Sequence, residues 1–168
     1  GDDVKALIYS SKGVLDGHID VAVGDVTRDW WPLVAGAKPR AALVWQRFVP
    51  KQTYCHLMVS IFDVNKKTFL VKALQMETSV KYYAYSVTYL PLIERFLILG
   101  AYYNGGGFAY LLDQEGNVTA TNKALPAVMR ESQSITLGQS GIVKIVQPMA
   151  PKGLMVLAVT PSSITLKS

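Results

Sequence analysis

The chain is poor in the residues from which catalytic sites are usually built. Its 168 residues include one cysteine, two histidines and twelve acidic residues. The single cysteine, Cys55, excludes a disulfide within the chain but does not fix the compartment. No apolar run reaches the roughly 18–20 residues that span a bilayer, because Glu94 and Arg95 interrupt the longest one, residues 90–103. We therefore expect no transmembrane segment.

Local motifs for nucleophilic or phosphate chemistry are also missing. The stretch 138–141, Gly-Gln-Ser-Gly, is one residue too short for a nucleophile elbow. Cys55 and His56 are adjacent, and adjacent side chains on a strand point to opposite faces, so they cannot pair as nucleophile and base. The glycines of 104–107 lack the Gly-Lys-Ser/Thr ending of a phosphate-binding loop and predict a hairpin turn. We expect no enzyme, no catalytic residues and no cofactor.

One short segment has the side chains of a metal site. Asp16, His18 and Asp20 alternate along a predicted strand and would share one face, and Asp25 or His56 could add a ligand from elsewhere. Neighbours on one strand run parallel, however, whereas a tight site needs converging ligands. The charges fit the solvent face of an edge strand better, so no metal site is predicted.

What the chain does have is the composition and period of a β protein. Hydrophobic residues make up 50% of it and charged residues 17%, which is ample for a core. Alternation of apolar and polar residues is clear at 14–23, and β-branched and aromatic residues fill 80–90. Residues 63–67 form a polar loop between two predicted strands, 53–62 and 68–75, which indicates a hairpin.

These patterns predict an all-β fold, an antiparallel β-sandwich with Greek-key or jelly-roll-like connections. We expect roughly nine to eleven strands, by turn spacing typical of sandwiches. At most one or two short helices are expected, with 125–131 as the best candidate, and 26–39 is predicted to be irregular. The length fits one domain, residues 1–168, with a possible soft division near residue 91.

Basic and aromatic residues concentrate in the middle of the chain. Residues 38–81 carry eight Lys or Arg against Asp63 and Glu77. Seven tyrosines lie between positions 82 and 110, and tyrosine suits both a sheet surface and an interface. Trp30-Trp31-Pro32 is interpreted as a plug over a sandwich end or as a surface anchor. The predicted interaction surface comprises Trp30, Trp31, Lys66, Lys67, Lys81, Tyr83, Tyr85 and Tyr89.

The C-terminal part of the chain carries a resemblance to a known domain. Residues 108–118, Phe-Ala-Tyr-Leu-Leu-Asp-Gln-Glu-Gly-Asn-Val, form a strand, an acidic turn with glycine and a second strand. Residues 142–148 and 153–161 form a closing hairpin around a Pro/Gly turn. Together, residues 94–166 resemble an uncharacterised bacterial envelope domain that is often appended to lipoproteins and caspase-like peptidases. The polar-Pro-Asn step usual in that domain is replaced here by Thr121-Asn122-Lys123. The resemblance implies an accessory β-sandwich exported to the cell envelope or periplasm, or secreted, with no catalytic residues.

The leading expectation is therefore a non-enzymatic β domain that makes protein–protein contacts, as part of an envelope or secretion-type assembly or as a homo-oligomer. The basic segment 38–81 leaves a nucleic-acid-binding or capsid-like viral domain as an alternative. Aromatic residues on one sheet face would instead suit a carbohydrate-binding module. Because Gly1-Asp2-Asp3 is an unusual start, we also expect a leader, an anchor or a further domain upstream.

Overall fold

The computed structural model describes residues 2–24, 26–139 and 142–167, and within them the chain is all β. The strands are β1 (Val4–Tyr9), β2 (Leu15–Ala22), β3 (Asp29–Ala37), β4 (Arg40–Phe48), β5 (Cys55–Asp63), β6 (Thr68–Leu90), β7 (Arg95–Tyr102), β8 (Gly107–Leu112), β9 (Val118–Leu125), β10 (Ile135–Gln139), β11 (Ile142–Pro148), β12 (Leu154–Thr160) and β13 (Ser163–Lys167). No helix occurs in the described ranges, so none there is long and apolar enough to cross a membrane.

The strands form three antiparallel sheets in which every neighbour is consecutive in sequence. Strands β1 and β2 make a hairpin, β3 to β9 a seven-stranded sheet, and β10 to β13 a four-stranded sheet. The all-β, antiparallel prediction is confirmed, and the packed sheets are consistent with a β-sandwich. The connectivity differs from the Greek-key or jelly-roll expectation, because within each sheet of the described ranges every strand pairs with the strand before or after it in the chain.

The long strand β6 lets the seven-stranded sheet curl on itself. Its first part pairs with β5 from Thr68 to Val80, and its last part pairs with β7 from Tyr85 to Leu90. As a result the turn between β8 and β9 approaches β5 and the first part of β6, where Gly116 lies against the side chains of Ile61 and Val71. The concave face encloses a core that joins β4 and β5 to β7 and β8.

The two convex regions of this sheet are covered by the other sheets. The β1–β2 hairpin packs on β4 and β5, where Leu43, Trp45, Met58 and Phe62 face outward from the central core. The four-stranded sheet packs on β7 and β8 through an apolar cluster that includes Leu97. Strands β4, β5, β7 and β8 are therefore buried on both faces, which explains their nearly continuous apolar sequences.

Several expectations about individual segments are corrected. The predicted helix at 125–131 is wrong: Leu125 ends β9, and Val128 forms a β-bridge with Met149, so this stretch pairs with the turn before β12. The segment 26–39 is not irregular throughout, because β3 lies in it. With β10 and β13 included, the described ranges contain thirteen strands, more than the nine to eleven expected. Residues 91–94, near the possible soft division, are the turn between β6 and β7 within one sheet. The assignment of residues 1–168 to a single domain stays a prediction.

Candidate functional site

An aromatic cleft opens where the curled sheet meets the connection to the four-stranded sheet. Its volume is about 480 Å³, within the range of roughly 300–1,000 Å³ typical of ligand pockets. It is lined by Trp30, Phe48, Gln52, Thr53, Tyr82, Tyr83 and Arg130. These residues come from β3, β4, the loop after β4, β6 and the segment after β9. We call this surface the aromatic cleft.

Two bulges in facing strands place the aromatic side chains. In β6 the pairing with β7 moves from Val80↔Tyr102 to Tyr85↔Gly100, so residues 81–84 stand opposite Ala101 alone. In β3 the pairing with β4 moves from Trp30↔Gln46 to Leu33↔Val44, which adds one residue to β3. Bulges re-aim side chains and are frequent beside functional sites. Here they direct the rings of β3 and β6 toward the same opening.

The backbone at these bulges is strained. Trp31 has a φ of 56° and Tyr83 a φ of 64°, in the left-handed region that bulky residues rarely adopt. The two rings meet edge to face with centroids 5.0 Å apart. Tyr85 donates a hydrogen bond from its hydroxyl to the Trp31 carbonyl at 2.6 Å, and the Tyr83 amide donates to Gln46 Oε1 at 3.0 Å. Strain held in place by such contacts is characteristic of binding and catalytic sites.

Stacked rings and guanidinium groups form the walls. Trp30 stacks on Phe48 and on Tyr82, with centroids 6.0 and 6.2 Å apart. Arg28 lies over the Trp30 ring at 4.9 Å, and Arg130 lies over the Tyr83 ring at 4.7 Å. Each arginine also has an exposed acidic neighbour: Asp2 for Arg28 and Glu131 for Arg130. These surface pairs leave the cleft close to neutral overall and contribute little to stability.

Three polar atoms at the cleft are buried without a hydrogen-bond partner. They are Trp30 Nε1, Tyr82 Oη and Gln46 Nε2. Gln46 lies directly opposite Trp30 across the β3–β4 pair, so the two side chains share a face. Burial raises the pKa of Tyr82 above its ordinary value of 10.0, so the hydroxyl keeps its proton and remains a donor. Buried donors without acceptors are rare in folded proteins and call for an explanation.

The predicted interaction surface is divided by the structure. Trp30 and Tyr83 line the aromatic cleft, and Trp31 contacts Tyr83 with 42% of its surface exposed. Tyr85 is only 2% exposed. The bulge at 81–84 changes which face of the strand the following residues occupy, so the Tyr85 side chain lies in the central core. Tyr89 is half-buried, with its ring against Phe96. Sequence alternation could not reveal the bulge, and it therefore placed Tyr85 wrongly on the surface.

The predicted lysines are exposed, and none of them is among the residues that line the cleft. Lys66 and Lys67 lie in the turn between β5 and β6, and Lys67 Nζ pairs with Asp16 at 3.1 Å. Lys81 is exposed on the β6 bulge. In the same basic segment Arg47 pairs with the buried Asp29 at 2.8 Å. Arg40 likewise pairs with Asp63. Three of the eight basic residues of 38–81, namely Arg40, Arg47 and Lys67, thus pair with carboxylates within the fold.

The remaining sequence candidates lie apart from the cleft. Asp20 pairs with Lys5 at 3.9 Å, and His18 is exposed on the same strand. No group of three or more potential ligands is arranged for a metal in the described part of the chain. Asp25, Ser140 and Gly141 lie outside the described residues. Cys55 is fully buried, and residues 104–106 form the turn between β7 and β8, as predicted.

A second polar cluster lies on the concave face of the sheet. Glu77 Oε2 accepts hydrogen bonds from Tyr102 Oη at 2.9 Å and Tyr110 Oη at 2.7 Å, and it pairs with Lys123 at 2.8 Å. Burial opposes ionisation of Glu77, but these bonds and one from the Thr78 amide outweigh it and lower its pKa below 4.5. All four side chains are mutually satisfied, so this cluster joins β6 to β9 rather than offering a free site.

Most of the cleft could not be recognised from the sequence. Trp30, Trp31 and Tyr83 lie in aromatic-rich stretches of the sequence, and that composition marked them as candidate interaction residues. Phe48 and Arg130 gave no such signal, since the contact between Arg130 and Tyr83 joins segments that are far apart in the chain. The fold and site together define an antiparallel all-β domain with an aromatic cleft. No protein-family model matches this chain, and no curated protein matches it by sequence.

Proposed function

We propose that this chain is a non-enzymatic binding domain that contacts another protein through the aromatic cleft. The observation that carries the proposal is the pair of strained bulges, which bring Trp30, Tyr82 and Tyr83 to one opening. Aromatic residues and arginine are the residue types enriched in the energetic centres of protein interfaces. The cleft contains no nucleophile–base pair and no carboxylate pair among its lining residues.

The cellular setting of this activity belongs to the same proposal. The resemblance of residues 94–166 to an envelope-associated domain supports a role in a bacterial cell-envelope or secretion-type assembly. Exposed apolar side chains away from the cleft, including Ile135 and Leu137 on the edge strand β10, suit a domain that meets further protein surfaces. The ion pairs of Arg40, Arg47 and Lys67 reduce the positive charge that residues 38–81 could offer to phosphates, which favours a protein partner over nucleic acid.

Selection from a library of random dodecapeptides, displayed one per particle, tests the proposal. We expect enriched peptides to bind the purified domain, and to lose about tenfold in affinity on Tyr83→Ala, by isothermal titration calorimetry. Tyr9→Ala is the matched control, since Tyr9 is exposed on the β1–β2 hairpin. Circular dichroism checks that both variants fold. Failure to enrich any peptide, or equal binding by both variants, would contradict the proposal.

A further inference from the structure

We propose that two copies of this domain associate by pairing their β10 strands edge to edge, which joins their four-stranded sheets into one continuous sheet. Strand β10 is an outer strand of that sheet and pairs with β11 on one side. On its other side no strand of the described ranges pairs with it. An outer strand presents a row of backbone N–H and C=O groups on its open side, and this row is a template for a further strand.

The sequence of β10 lacks the protection that the other outer strands carry. Charged residues and prolines on an outer strand discourage pairing with another chain. Among the described strands, β10, with the sequence Ile-Thr-Leu-Gly-Gln, is the one outer strand that contains neither. The charged residues of the other outer strands are Lys5 in β1, Asp16 and Asp20 in β2, Asp29 in β3, Lys123 in β9 and Lys167 in β13.

Contacts and irregularities also block several of the other edges. Strand β3 has a bulge and contains Pro32, which has no backbone N–H. Strands β9 and β13 lie against each other, since Asn122 Nδ2 donates to the Ile164 carbonyl at 3.1 Å. On β2, Lys67 Nζ donates to the Asp16 carbonyl at 3.0 Å. Each copy therefore has one unprotected edge in the described part of the chain, so pairing closes a dimer and does not propagate into a fibre.

Strand β10 is held in position before any partner arrives. Ser134 Oγ donates to Gln147 Oε1 at 2.7 Å, and Gln147 Nε2 donates to Ser132 Oγ at 2.6 Å. Gln147 is fully buried in β11, so these bonds fix the start of β10 against its neighbour. Because the edge is already ordered, pairing costs little further conformational entropy.

A second copy of the chain complements this edge. In an antiparallel pair about a two-fold axis, β10 meets its own sequence in reverse, and no like charges face each other because the strand has none. Ile135 and Leu137 alternate on the outer face of the sheet and are 64% and 55% exposed in the single copy. The two-fold axis places the outer faces of both sheets on the same side, so these side chains pack beside those of the other copy.

The expected dimer is weak and reversible. A pair of strands of five residues buries less surface than the roughly 1,600 Å² of a standard protein interface. Association should therefore depend on protein concentration, and sedimentation equilibrium measures it directly. We expect a monomer–dimer equilibrium without larger species.

Two leucine variants test which surface makes the contact. Leu137→Lys places a charge on the β10 edge and should weaken dimerisation about tenfold or more, because the lysines of the two copies are brought together. Leu154→Lys is the matched control, since Leu154 is 64% exposed on the same outer face but lies in the inner strand β12. The control should dimerise as the unchanged domain does. Circular dichroism checks that both variants fold.

Each other result of this experiment overturns the inference. A domain that stays monomeric at every concentration has no such contact. Equal weakening by both variants shows that the sheets stack face to face and do not pair at their edges. Dimerisation that Leu137→Lys leaves unchanged shows that another surface makes the contact.

Amide hydrogen exchange measured by NMR locates the contact on the backbone. Alternate residues of an antiparallel strand direct their N–H groups to the same side, so every second amide of β10 faces the open edge. We expect the protection of these amides to rise with protein concentration, while the amides bonded to β11 are protected throughout. A dimer without this gain contradicts edge pairing.

The inference and the proposed function can fail separately, because they use different surfaces. Tyr83→Ala changes the aromatic cleft and should leave dimerisation unchanged. Leu137→Lys should leave peptide binding at the cleft unchanged, since Leu137 does not line it. Loss of dimerisation on Tyr83→Ala would show that the copies meet through the cleft, and would overturn the inference while leaving the cleft as a protein-binding surface.

Discussion

Tyr110 in β8 donates a hydrogen bond of 2.7 Å to Glu77 Oε2 in β6, and so joins the two parts of the curled sheet. Lys123 in β9 pairs with the same oxygen at 2.8 Å, and its ammonium lies 5.4 Å from the centre of the Tyr110 ring. Burial, then the bond to Glu77, raises the pKa of Tyr102 to about 12, so this donor keeps its proton across the physiological range. The cluster therefore ties β6 to β7, β8 and β9.

Glu77→Gln is expected to lower the free energy of unfolding at pH 7 by about 1–3 kcal/mol, because the ionised acceptor is lost from a charge-assisted cluster. The pKa of Glu77 is lowered in the folded state, so its contribution is present above the unfolded pKa near 4.5 and is lost as pH falls through the folded pKa. Urea denaturation between pH 3 and pH 7 should give a flatter profile for the variant. The exposed Glu115→Gln is the control, and parallel profiles would refute the role of Glu77.

The strand architecture was accessible from the sequence because it depends on local pattern. In β2 the alternation of apolar and polar residues matches the observed faces, with Val21 buried and Asp16, His18 and Asp20 exposed. The hairpin between β5 and β6 follows from the polar loop at 63–67. In the turn at 113–117 the Asn117 amide donates to the Asp113 carboxylate, a contact that aspartate commonly makes in turns. These features depend on the alternation of apolar and polar residues and on the residue types in each turn, and both can be read from a few neighbouring residues.

The site was accessible only in part, because bulges and long-range contacts carry no local signal. Tyr82 and Tyr83 reach the cleft through a bulge that β6 needs to pair with both β5 and β7. The segment 125–131 has helix-forming composition, yet the Met129 amide donates to the Pro148 carbonyl and the Ala150 amide donates to the Ala127 carbonyl. Pairing with a distant strand outweighs the weak helix propensity of so short a segment.

Tyr85→Phe is expected to destabilise the domain by about 0.5–1.5 kcal/mol, because the Trp31 carbonyl loses its 2.6 Å hydrogen bond. The left-handed backbone at Trp31 is then less firmly held, so tryptophan fluorescence should also change. Tyr82→Phe is the matched control, since its hydroxyl has no partner and its removal is expected to act in the opposite direction. Equal shifts in the denaturation midpoint for the two variants would contradict this assignment.

Gly100→Ala is expected to be strongly destabilising. Gly100 lies opposite Phe108 in the β7–β8 pair, and an added Cβ would lie 2.7 and 2.8 Å from the two Cε atoms of that ring. Phe108 is fully buried between Tyr102 and Tyr110, so it cannot move aside without disturbing the central core. Overpacking of this kind typically costs about 1–3 kcal/mol.

The control for Gly100 is Gly36→Ala in β3, where an added Cβ would meet nothing within 4 Å. This change should alter the free energy of unfolding by less than about 1 kcal/mol. Thermal unfolding followed by circular dichroism measures both variants. A Gly100→Ala midpoint equal to that of Gly36→Ala would show that the Phe108 ring is not held against the strand.

The Cys55 thiol is expected to be inert in the folded domain. Burial raises its pKa to about 12, and its Sγ donates to the Val80 carbonyl at 3.3 Å. At pH 8 the side chain is therefore a protonated, inaccessible thiol, whereas the reactive species is the thiolate. An aromatic disulfide reagent should release its chromophore in denaturant but not from the native domain. Tyr9→Cys in a Cys55→Ala background provides an exposed thiol that should react at once, and equally fast reaction of native Cys55 would show that the β5–β6 pair opens readily.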